Sequence, residues 1–289
     1  MKPQPLAYLD REFLESEDGR PLRILAEYLE PLRRFKAQNV QDTVVFFGSA
    51  RIHSRAEADK AMERQLRRAA AQGGAPAAPG DRLGRLQKAV EWSRYYEESR
   101  ELARLLTEWT MSLDSTHHRF VVCSGGGPGI MEAANRGATE AGGKTIGLNI
   151  KLPFEQGANR YITEGLHYEF HYFFMRKFWF AYLAKALVVF PRGFGTLDEM
   201  FEILTLMQTQ KLQKQIQIVL YGTEYWDSIL SLDPMAEWGA ISSSDLHLIQ
   251  RVDTPVAAFE LLKAHLIEHH LAPATAQEMK APGIAKTRS

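Results

Sequence analysis

The chain has 289 residues, of which 45% are hydrophobic and 24% charged, so it can bury a large core as one large domain or one domain with appendages. Its 35 basic and 35 acidic side chains give a formal net charge of zero, which argues against nucleic acid or a membrane surface as a partner. The single cysteine excludes a disulfide framework within the chain. Charged residues occur throughout the start of the chain and interrupt its longest apolar tract, so we predict a cytoplasmic protein without a signal peptide or a membrane span.

The predicted elements alternate between helices and buried strands. A helix is predicted over residues 20–36, and Pro31 is expected to bend or split it. After a first strand, TVVFF, the composition from 55 to 112 is helical apart from a flexible loop at 71–82. The remaining strands and helices are predicted, in chain order, at RFVVC, IMEAANRGATEAG, KTIGLNI, an aromatic helix at 172–184, ALVVF, GTLDEMFEILTLMQTQK, QIQIVLYG and VAAFELLKAHLIEHH.

These strands are apolar throughout, which is typical of a parallel sheet that helices cover on both faces. We therefore predict an α/β protein with a doubly wound, Rossmann-like parallel sheet. The predicted organisation has a helical N-terminal extension at 1–40, a single nucleotide-binding catalytic domain at 41–270 with a helical or loop insert near 55–90, and a flexible tail at 271–289. In such sheets ligands bind beyond the carboxyl ends of the strands, so the turns at those ends carry the functional signal.

Three of the predicted strands end in glycine-rich turns, FFGSAR at 46–51, SGGGPGIMEAANRG at 124–137 and PRGFGTLDE at 191–199. Glycine leaves the backbone amides uncovered, and a helix that begins at such a turn adds the positive end of its dipole, so these turns favour phosphate. Their spacing matches neither the Walker A loop nor the G-x-G-x-x-G dinucleotide pattern. We therefore predict a mononucleotide or a sugar phosphate as the ligand.

The third turn also carries a carboxylate whose role the spacing leaves open. Thr196 and Glu199 have the spacing of a capping box, in which Glu199 would accept a hydrogen bond from the Thr196 amide. The alternative is that Glu199, one helical turn from a phosphate site, acts on a glycosidic bond. His167 and His171 have the spacing of metal ligands on a helix, but a third ligand is not evident, so no metal site is predicted.

The glycine turns resemble those of a known family. PRGFGTLDE is similar to the P-G-G-x-G-T-x-x-E signature of the Lonely Guy (LOG) family of nucleoside 5′-monophosphate phosphoribohydrolases, which are often labelled lysine decarboxylases. FFMRKFWFAYLAKALVVFP, FGSAR and SGGGPGIMEAANRGA resemble the other motifs of this family. The resemblance covers residues 42–240 and is closer to the longer bacterial members than to the short plant-like ones.

The resemblance implies a role for each matching residue. Glu199 matches the catalytic glutamate of the family, and Arg176 matches its catalytic arginine. Arg192 stands where the family has the first glycine of a pair, so it either alters the phosphate loop or adds a charge contact to phosphate. The other residues implied in binding the substrate or its phosphate are Gly48, Ser49, Gly125, Gly126, Gly127, Lys177, Gly193, Gly195 and Thr196.

The reaction that the resemblance implies is hydrolysis of the N-glycosidic bond of a nucleoside 5′-monophosphate to free base and ribose 5-phosphate, with no metal and no cofactor. We expect AMP as the substrate, with a cytokinin riboside monophosphate as the alternative. We also expect a homodimer or higher homo-oligomer, as in the family, with part of the helix at 172–184 in the subunit interface. Two other functions remain open: a non-catalytic nucleotide or cofactor carrier, and a pyridoxal-dependent decarboxylase, for which Lys177 and Lys185 have no supporting motif.

Overall fold

The computed structural model describes residues 5–71, 82–152, 157–212 and 214–271. These residues form one parallel sheet of seven strands, in the order β4-β3-β2-β1-β5-β6-β7. The strands are β1 (Thr43–Phe47), β2 (Val121–Ser124), β3 (Thr145–Ile150), β4 (His167–Phe170), β5 (Ala184–Val189), β6 (Gln217–Tyr221) and β7 (Ile249–Val252). The predicted Rossmann-like α/β fold is thereby confirmed.

Helices connect the strands and cover the sheet. The α-helices are α1 (Arg11–Glu15), α2 (Arg20–Ala37), α3 (Arg55–Ala71), α4 (Arg82–Met111), α5 (Ile130–Glu140), α6 (Phe173–Leu183), α7 (Phe194–Gln208), α8 (Thr223–Ile229), α9 (Asp233–Glu237) and α10 (Pro255–Leu266). Within the described ranges, none of these helices is long and apolar enough to span a bilayer. Residues 72–81 of the predicted flexible loop and residues 272–289 of the predicted tail lie outside the described residues.

The central strand β1 shows why the strands of this sheet are apolar throughout. Val45 and Phe47 pack into a core on the side of α2, α6 and α7, whereas Val44 and Phe46 pack into a core on the side of α4, α5 and α10. Successive side chains of a strand point to opposite faces, so a strand that is covered on both sides needs an apolar residue at every position.

The two edge strands were not predicted from the sequence. β4 has the sequence HYEF and β7 has the sequence IQRV, so each mixes polar and apolar residues. In β4 only the alternate residues Tyr168 and Phe170 are buried. An edge strand lacks the continuous apolar run that identifies the central strands of a parallel sheet, and each of these has only four residues.

Pro31 lies inside α2, which runs without interruption from Arg20 to Ala37, so of the two predicted effects, a bend or a split, the split does not occur. Proline lacks the amide that would bond to the carbonyl group of Glu27, four residues earlier. The indole nitrogen of Trp179 on α6 donates a hydrogen bond of 2.8 Å to that carbonyl oxygen instead. A contact between two helices therefore satisfies the group that the proline leaves unbonded.

Two partly buried cations lie at the amino edge of the sheet, opposite the glycine turns. Lys214 Nζ donates a hydrogen bond of 2.9 Å to the carbonyl oxygen of Tyr182 near the end of α6. Arg119 Nη2 donates one of 2.9 Å to the carbonyl oxygen of His270, in the π-helical segment Ile267–Leu271 that follows α10, and Arg119 Nε is 2.9 Å from an oxygen of the buried Asp42. The last carbonyl groups of a helix lack partners within it and form its negative end, so these cations stabilise helix C-termini.

Two histidines near the same edge make the stability dependent on pH. Burial lowers the pKa of His265 to about 4, and burial together with the charge of Lys185 lowers the pKa of His270 to about 3. In the unfolded chain both would titrate near 6.5, so acid favours unfolding as the pH falls from about 6.5 toward about 4.

We expect the melting temperature to fall by about 2–5 °C between pH 7 and pH 5, for a combined loss of about 1–2 kcal/mol after allowance for solvent screening. Thermal unfolding followed by circular dichroism at the two pH values measures this change. A His265→Gln/His270→Gln variant should lose most of the pH dependence. An unchanged dependence in that variant would exclude these histidines as its source.

Candidate functional site

The chain reverses its direction across the sheet between β1 and β5. From β1 it adds β2, β3 and β4 on one side, and then returns to add β5, β6 and β7 on the other. A crevice forms outside the carboxyl ends of the strands at such a switch point, and ligands bind there in open α/β sheets. The turns after β1, β2 and β5 are the three glycine-rich turns of the sequence, so the fold places them together around this crevice.

The first two turns are in direct contact. The amide of Ile130 donates a hydrogen bond of 3.1 Å to the carbonyl oxygen of Ser49. A Cβ atom on Gly48 would lie 2.4 Å from the Ile130 side chain. Gly129 has a φ of +71°, and a Cβ atom there would lie 2.3 Å from Ser49 O. Glycine is thus required at both positions for the turns to approach each other.

Two asparagines that the sequence analysis missed hold the second turn in place. Asn159 Nδ2 donates hydrogen bonds of 3.0 Å to the carbonyl oxygens of Gly126 and Gly127. It also donates one of 2.9 Å to Oδ1 of Asn135, which accepts another from Ser124 Oγ. Asn135 could have been identified from the sequence, because it is a polar residue on a face of α5 that is otherwise apolar. Asn159 has no such pattern around it.

The third turn leads directly into α7, which begins at Phe194 with Gly193 as its N-cap. Thr196 is therefore the third residue of the helix rather than its cap, and its amide donates a hydrogen bond of 3.2 Å to Gly193 O. The capping-box interpretation of Thr196 and Glu199 is wrong, because the helix begins three residues earlier than it requires. The hydroxyl oxygen of Thr196 is buried and has no hydrogen-bond partner in the described part of the chain.

Glu199 and Arg176 form a buried ion pair at this edge of the sheet. Arg176 Nη1 lies 3.2 Å from Glu199 Oε1, and the exposed fractions of the two side chains are 12% and 9%. Arg176 Nε donates a hydrogen bond of 2.7 Å to the carbonyl oxygen of Leu148 on β3. The second carboxylate oxygen, Oε2, is buried and meets no hydrogen-bond partner among the residues described. The pair thus leaves one buried carboxylate oxygen without a partner among these residues.

Burial and ion pairing have opposite effects on the pKa values of Glu199 and Arg176. Burial raises the pKa of Glu199, although the positive charges of Arg176 and Arg192 oppose the shift. Burial also lowers the pKa of Arg176, although the Glu199 carboxylate opposes that shift. Ionisable groups with shifted pKa values are concentrated at functional sites. Burying a charge costs free energy, and binding of a ligand or catalysis is a common reason for keeping it.

Lys177 lies beside this pair, but its charge is engaged by acids of α7. Its Nζ is 2.7 Å from an oxygen of Asp198 and 3.2 Å from an oxygen of Glu202. These two contacts outweigh burial and raise the pKa of Lys177. The structure therefore places Lys177 where it joins α6 to α7, next to the predicted catalytic residues, with acids as its direct contacts.

Arg192 adds a further positive charge near the start of α7. Its Nη2 would be 4.0 Å from a Cβ atom placed on Gly195, and it forms no ion pair with any residue that the structure describes. A Cβ atom on Gly193 would meet no described atom within 4 Å, so this turn is open. Arg192, Arg176 and the positive end of α7 all lie near the Glu199 carboxylate, and a helix N-terminus with cations beside it suits an anion.

Gly125 provides a test of the geometry around Arg176. A Cβ atom on Gly125 would lie 2.6 Å from Arg176 Nη2 and 2.7 Å from the sulfur of Met131. Because Leu148 and Glu199 fix the guanidinium, we expect Gly125→Ala to displace it. For the AMP hydrolysis that the sequence predicts, the expected result is a loss of at least about 10-fold in kcat/KM, or about 1.4 kcal/mol, measured by release of adenine.

Gly84→Ala is the matched control for this change. Gly84 lies in α4, where no described atom lies within 4 Å of an added Cβ. The control should retain the parent activity and should not lower the melting temperature, because alanine favours a helix over glycine. If Gly125→Ala also retains the parent activity, the position of the Arg176 guanidinium is not critical for that activity.

The predicted histidine pair is not arranged as metal ligands. His167 begins β4, so the two histidines do not share a helical face. Across the described ranges, no group of three His, Cys, Asp or Glu side chains is placed to hold a metal ion.

The fold and the site together define a Rossmann-like α/β protein in which an open glycine turn at a helix N-terminus adjoins a buried acid–arginine pair. The family described as possible lysine decarboxylase matches residues 131–262 of the chain. A probable cytokinin riboside 5′-monophosphate phosphoribohydrolase of Arabidopsis thaliana, LOG6, is 27% identical over 149 residues, which are 52% of this chain and 74% of the relative. A second such protein, LOGL6 of Oryza sativa subsp. japonica, is 28% identical over 171 residues, 58% of this chain and 67% of the relative. These matches support a Lonely Guy family protein and confirm the resemblance that the turn motifs predicted.

Solved structures of other proteins also resemble the chain. A molybdenum cofactor binding protein of Rippkaea orientalis is 20% identical, with 59% of this chain and 86% of that chain covered and a TM-score of 0.42. A molybdenum cofactor carrier protein of Chlamydomonas reinhardtii is 24% identical, with 61% and 89% covered and a TM-score of 0.42.

Proposed function

We propose that the chain hydrolyses the N-glycosidic bond of a nucleoside 5′-monophosphate, with AMP as the favoured substrate, to give free base and ribose 5-phosphate. The observation that carries the proposal is the buried Glu199 carboxylate, whose Oε2 has no hydrogen-bond partner among the described residues and which lies one helical turn from the open start of α7. The curated relatives named as phosphoribohydrolases support the same reaction class.

In this mechanism Glu199 acts on the ribose and on water. The bond between C1′ and the base nitrogen breaks, the base leaves with the bonding electrons and takes up a proton, and a water oxygen bonds to C1′. Positive charge develops on the ribose as the base departs, and a carboxylate close to it stabilises that charge while it orients or deprotonates the water. Arg176 holds Oε1, so Oε2 is the oxygen that is left for the sugar or the water.

The phosphate is assigned to the third glycine turn. The amides from Gly193 to Gly195 lie at the N-terminus of α7, and a helix N-terminus binds phosphate without a side chain. Arg192 is assigned a supporting charge contact, and Gly125 to Gly127 line the nucleotide pocket with Gly48 and Ser49. Binding energy from the phosphate would then fix the ribose over Glu199.

The positions of the lysines speak against a pyridoxal-dependent decarboxylase. A lysine that forms a Schiff base needs a lowered pKa so that its amine is neutral, but the pKa of Lys177 is raised by its contacts with Asp198 and Glu202. Burial lowers the pKa of Lys185, but this residue is the second of β5 and lies at the amino edge of the sheet, opposite the glycine turns.

The proposal is tested by incubation of the purified protein with AMP, GMP, CMP, UMP and isopentenyladenosine monophosphate. Free base is measured by chromatography, and ribose 5-phosphate by a coupled assay. We expect adenine from AMP, with a Glu199→Gln preparation as the control for contaminating nucleosidases. Faster release from the isopentenyl nucleotide would make a cytokinin precursor the substrate. Nucleotide binding without release of base would instead support a carrier.

We further propose a homodimer or a higher homo-oligomer with α6 at the subunit contact. Phe173 and Phe174, at the start of α6, are 56% and 49% exposed although both are large and apolar. We expect sedimentation at micromolar concentration to give a multiple of the chain mass, and Phe173→Glu/Phe174→Glu to reduce it to the chain mass. Leu66→Glu, at a residue of α3 that is 49% exposed, should leave it unchanged. A monomeric parent protein would contradict the proposal.

A further inference from the structure

Tyr225 connects α8 to the third glycine turn. Its hydroxyl donates a hydrogen bond of 2.8 Å to the carbonyl oxygen of Arg192. Burial raises the pKa of the hydroxyl, so it remains protonated and able to donate at neutral pH. In the described part of the chain, this is the one hydrogen bond that residues 191–195 receive from a group outside the turn and α7.

Two tryptophans fix the ring of Tyr225. The ring of Trp92 on α4 packs edge-on at 5.5 Å, and the ring of Trp226 packs edge-on at 5.1 Å. Trp226 is fully buried, and its Nε1 donates hydrogen bonds to the carbonyl oxygens of Val189 and Tyr221, at the ends of β5 and β6. The Tyr225 hydroxyl is therefore held at a fixed position relative to the strand that carries the turn.

The turn needs such support, because its own sequence provides little. Pro191 has no amide to donate, and Gly193 has no side chain that could restrict its backbone. Helix amides bind phosphate well only if they already point at it, because ordering a loop on binding costs affinity. A hydrogen bond to Arg192 O fixes the peptide unit between Arg192 and Gly193, immediately before the amides of α7.

We propose that Tyr225 is a positioning residue for a phosphomonoester: through Arg192 O it holds the third glycine turn in the conformation that receives the 5′-phosphate of the substrate. The inference rests on the proposed function, in which this turn binds that phosphate. Tyr225 touches neither the ribose nor the base in this assignment. Its replacement should therefore lower the affinity only for ligands that carry the phosphate group.

The test is Tyr225→Phe, which removes the hydroxyl and keeps the ring between its two tryptophans. Calorimetry with ribose 5-phosphate should show affinity about 5–10-fold weaker than in the parent protein, where 10-fold equals about 1.4 kcal/mol. The affinity for adenosine, which has no phosphate, should be unchanged. With AMP, KM should rise by a similar factor while kcat stays within about twofold, because the reacting groups are not altered.

Tyr168→Phe is the matched control, because it removes a buried tyrosine hydroxyl on β4 that has no hydrogen-bond partner among the described residues. This control should bind ribose 5-phosphate as the parent does. Equal affinity of Tyr225→Phe and the parent for ribose 5-phosphate would overturn the inference, and so would an equal loss for adenosine, which would indicate general damage.

The binding measurements do not require turnover. If the parent binds ribose 5-phosphate but hydrolyses no nucleotide, the proposed reaction fails while Tyr225 can still be judged by the affinities. If the parent binds neither ribose 5-phosphate nor AMP, the phosphate site is wrong, and the role of Tyr225 is wrong with it.

Discussion

Glu199→Gln is expected to lower the rate of AMP hydrolysis at least about 100-fold, which corresponds to about 2.7 kcal/mol of transition-state stabilisation. Glutamine has nearly the same size and can still accept a hydrogen bond from Arg176, but it lacks the charge that stabilises a ribosyl cation. Because Glu199 does not cap α7, the substitution should not disturb the start of the helix. Nucleotide affinity should therefore change much less than kcat.

The measurement compares kcat, nucleotide affinity and melting temperature on one preparation. Glu202→Gln is the control, because it removes a carboxylate from the same helix at a side chain that is 39% exposed. Hydrolysis of AMP by Glu199→Gln at the parent rate would remove Glu199 from the mechanism.

The dependence of kcat on pH gives a second readout for Glu199. Burial raises its pKa above the ordinary value of 4.5, so a mechanism that needs the carboxylate loses activity as the pH falls through this raised pKa. The activity is present above that pKa, and the acid limb should lie above pH 4.5. The acid limb should be absent from the residual activity of Glu199→Gln.

Arg176→Lys is expected to lower kcat/KM for AMP about 100-fold, although it conserves the charge. The guanidinium reaches three elements at once: Nε bonds to Leu148 O, Nη1 to Glu199, and Nη2 lies against Gly125. A lysine ammonium is a single point charge on a flexible chain and cannot reproduce this planar arrangement. The carboxylate of Glu199 would therefore lose its fixed orientation.

Steady-state kinetics measure this loss, and Arg104→Lys is the matched control. Arg104 pairs with Glu101 and Glu108 on the surface of α4, so its replacement should leave kcat/KM and the melting temperature close to the parent values. If Arg176→Lys retains the parent kcat/KM, a positive charge alone is sufficient at position 176.

The sequence predicted the carboxyl edge of the sheet well, because its signals are local. Three glycine-rich strand ends must meet once the sheet is parallel, and this alone brings Gly48, Gly125 and Gly193 to one crevice. The start of α7 was predicted within one residue, but the capping-box alternative was wrong, since a threonine three residues before a glutamate is a capping signal only if the threonine is the N-cap.

The contacts that support the site could not be predicted, because each joins residues far apart in the chain. Asn159 reaches Gly126, Lys177 reaches Asp198, and Tyr225 reaches Arg192 only after the sheet has formed. A lysine, an asparagine or a tyrosine in a helix or loop has no periodic pattern that would indicate its partner. Local composition thus predicts which turns line the site, and tertiary packing decides how they are held.

The partly buried cations at the amino edge have a consequence for the electric field of the whole molecule. In a parallel sheet each helical connection begins at the carboxyl edge and ends at the amino edge, so the helix dipoles add in one direction. Lys214 and Arg119 offset the negative helix ends at the amino edge. The positive ends at the other edge have Arg176 and Arg192 beside them. The aligned helix dipoles therefore favour the approach of an anion to the carboxyl edge, and added salt weakens this attraction.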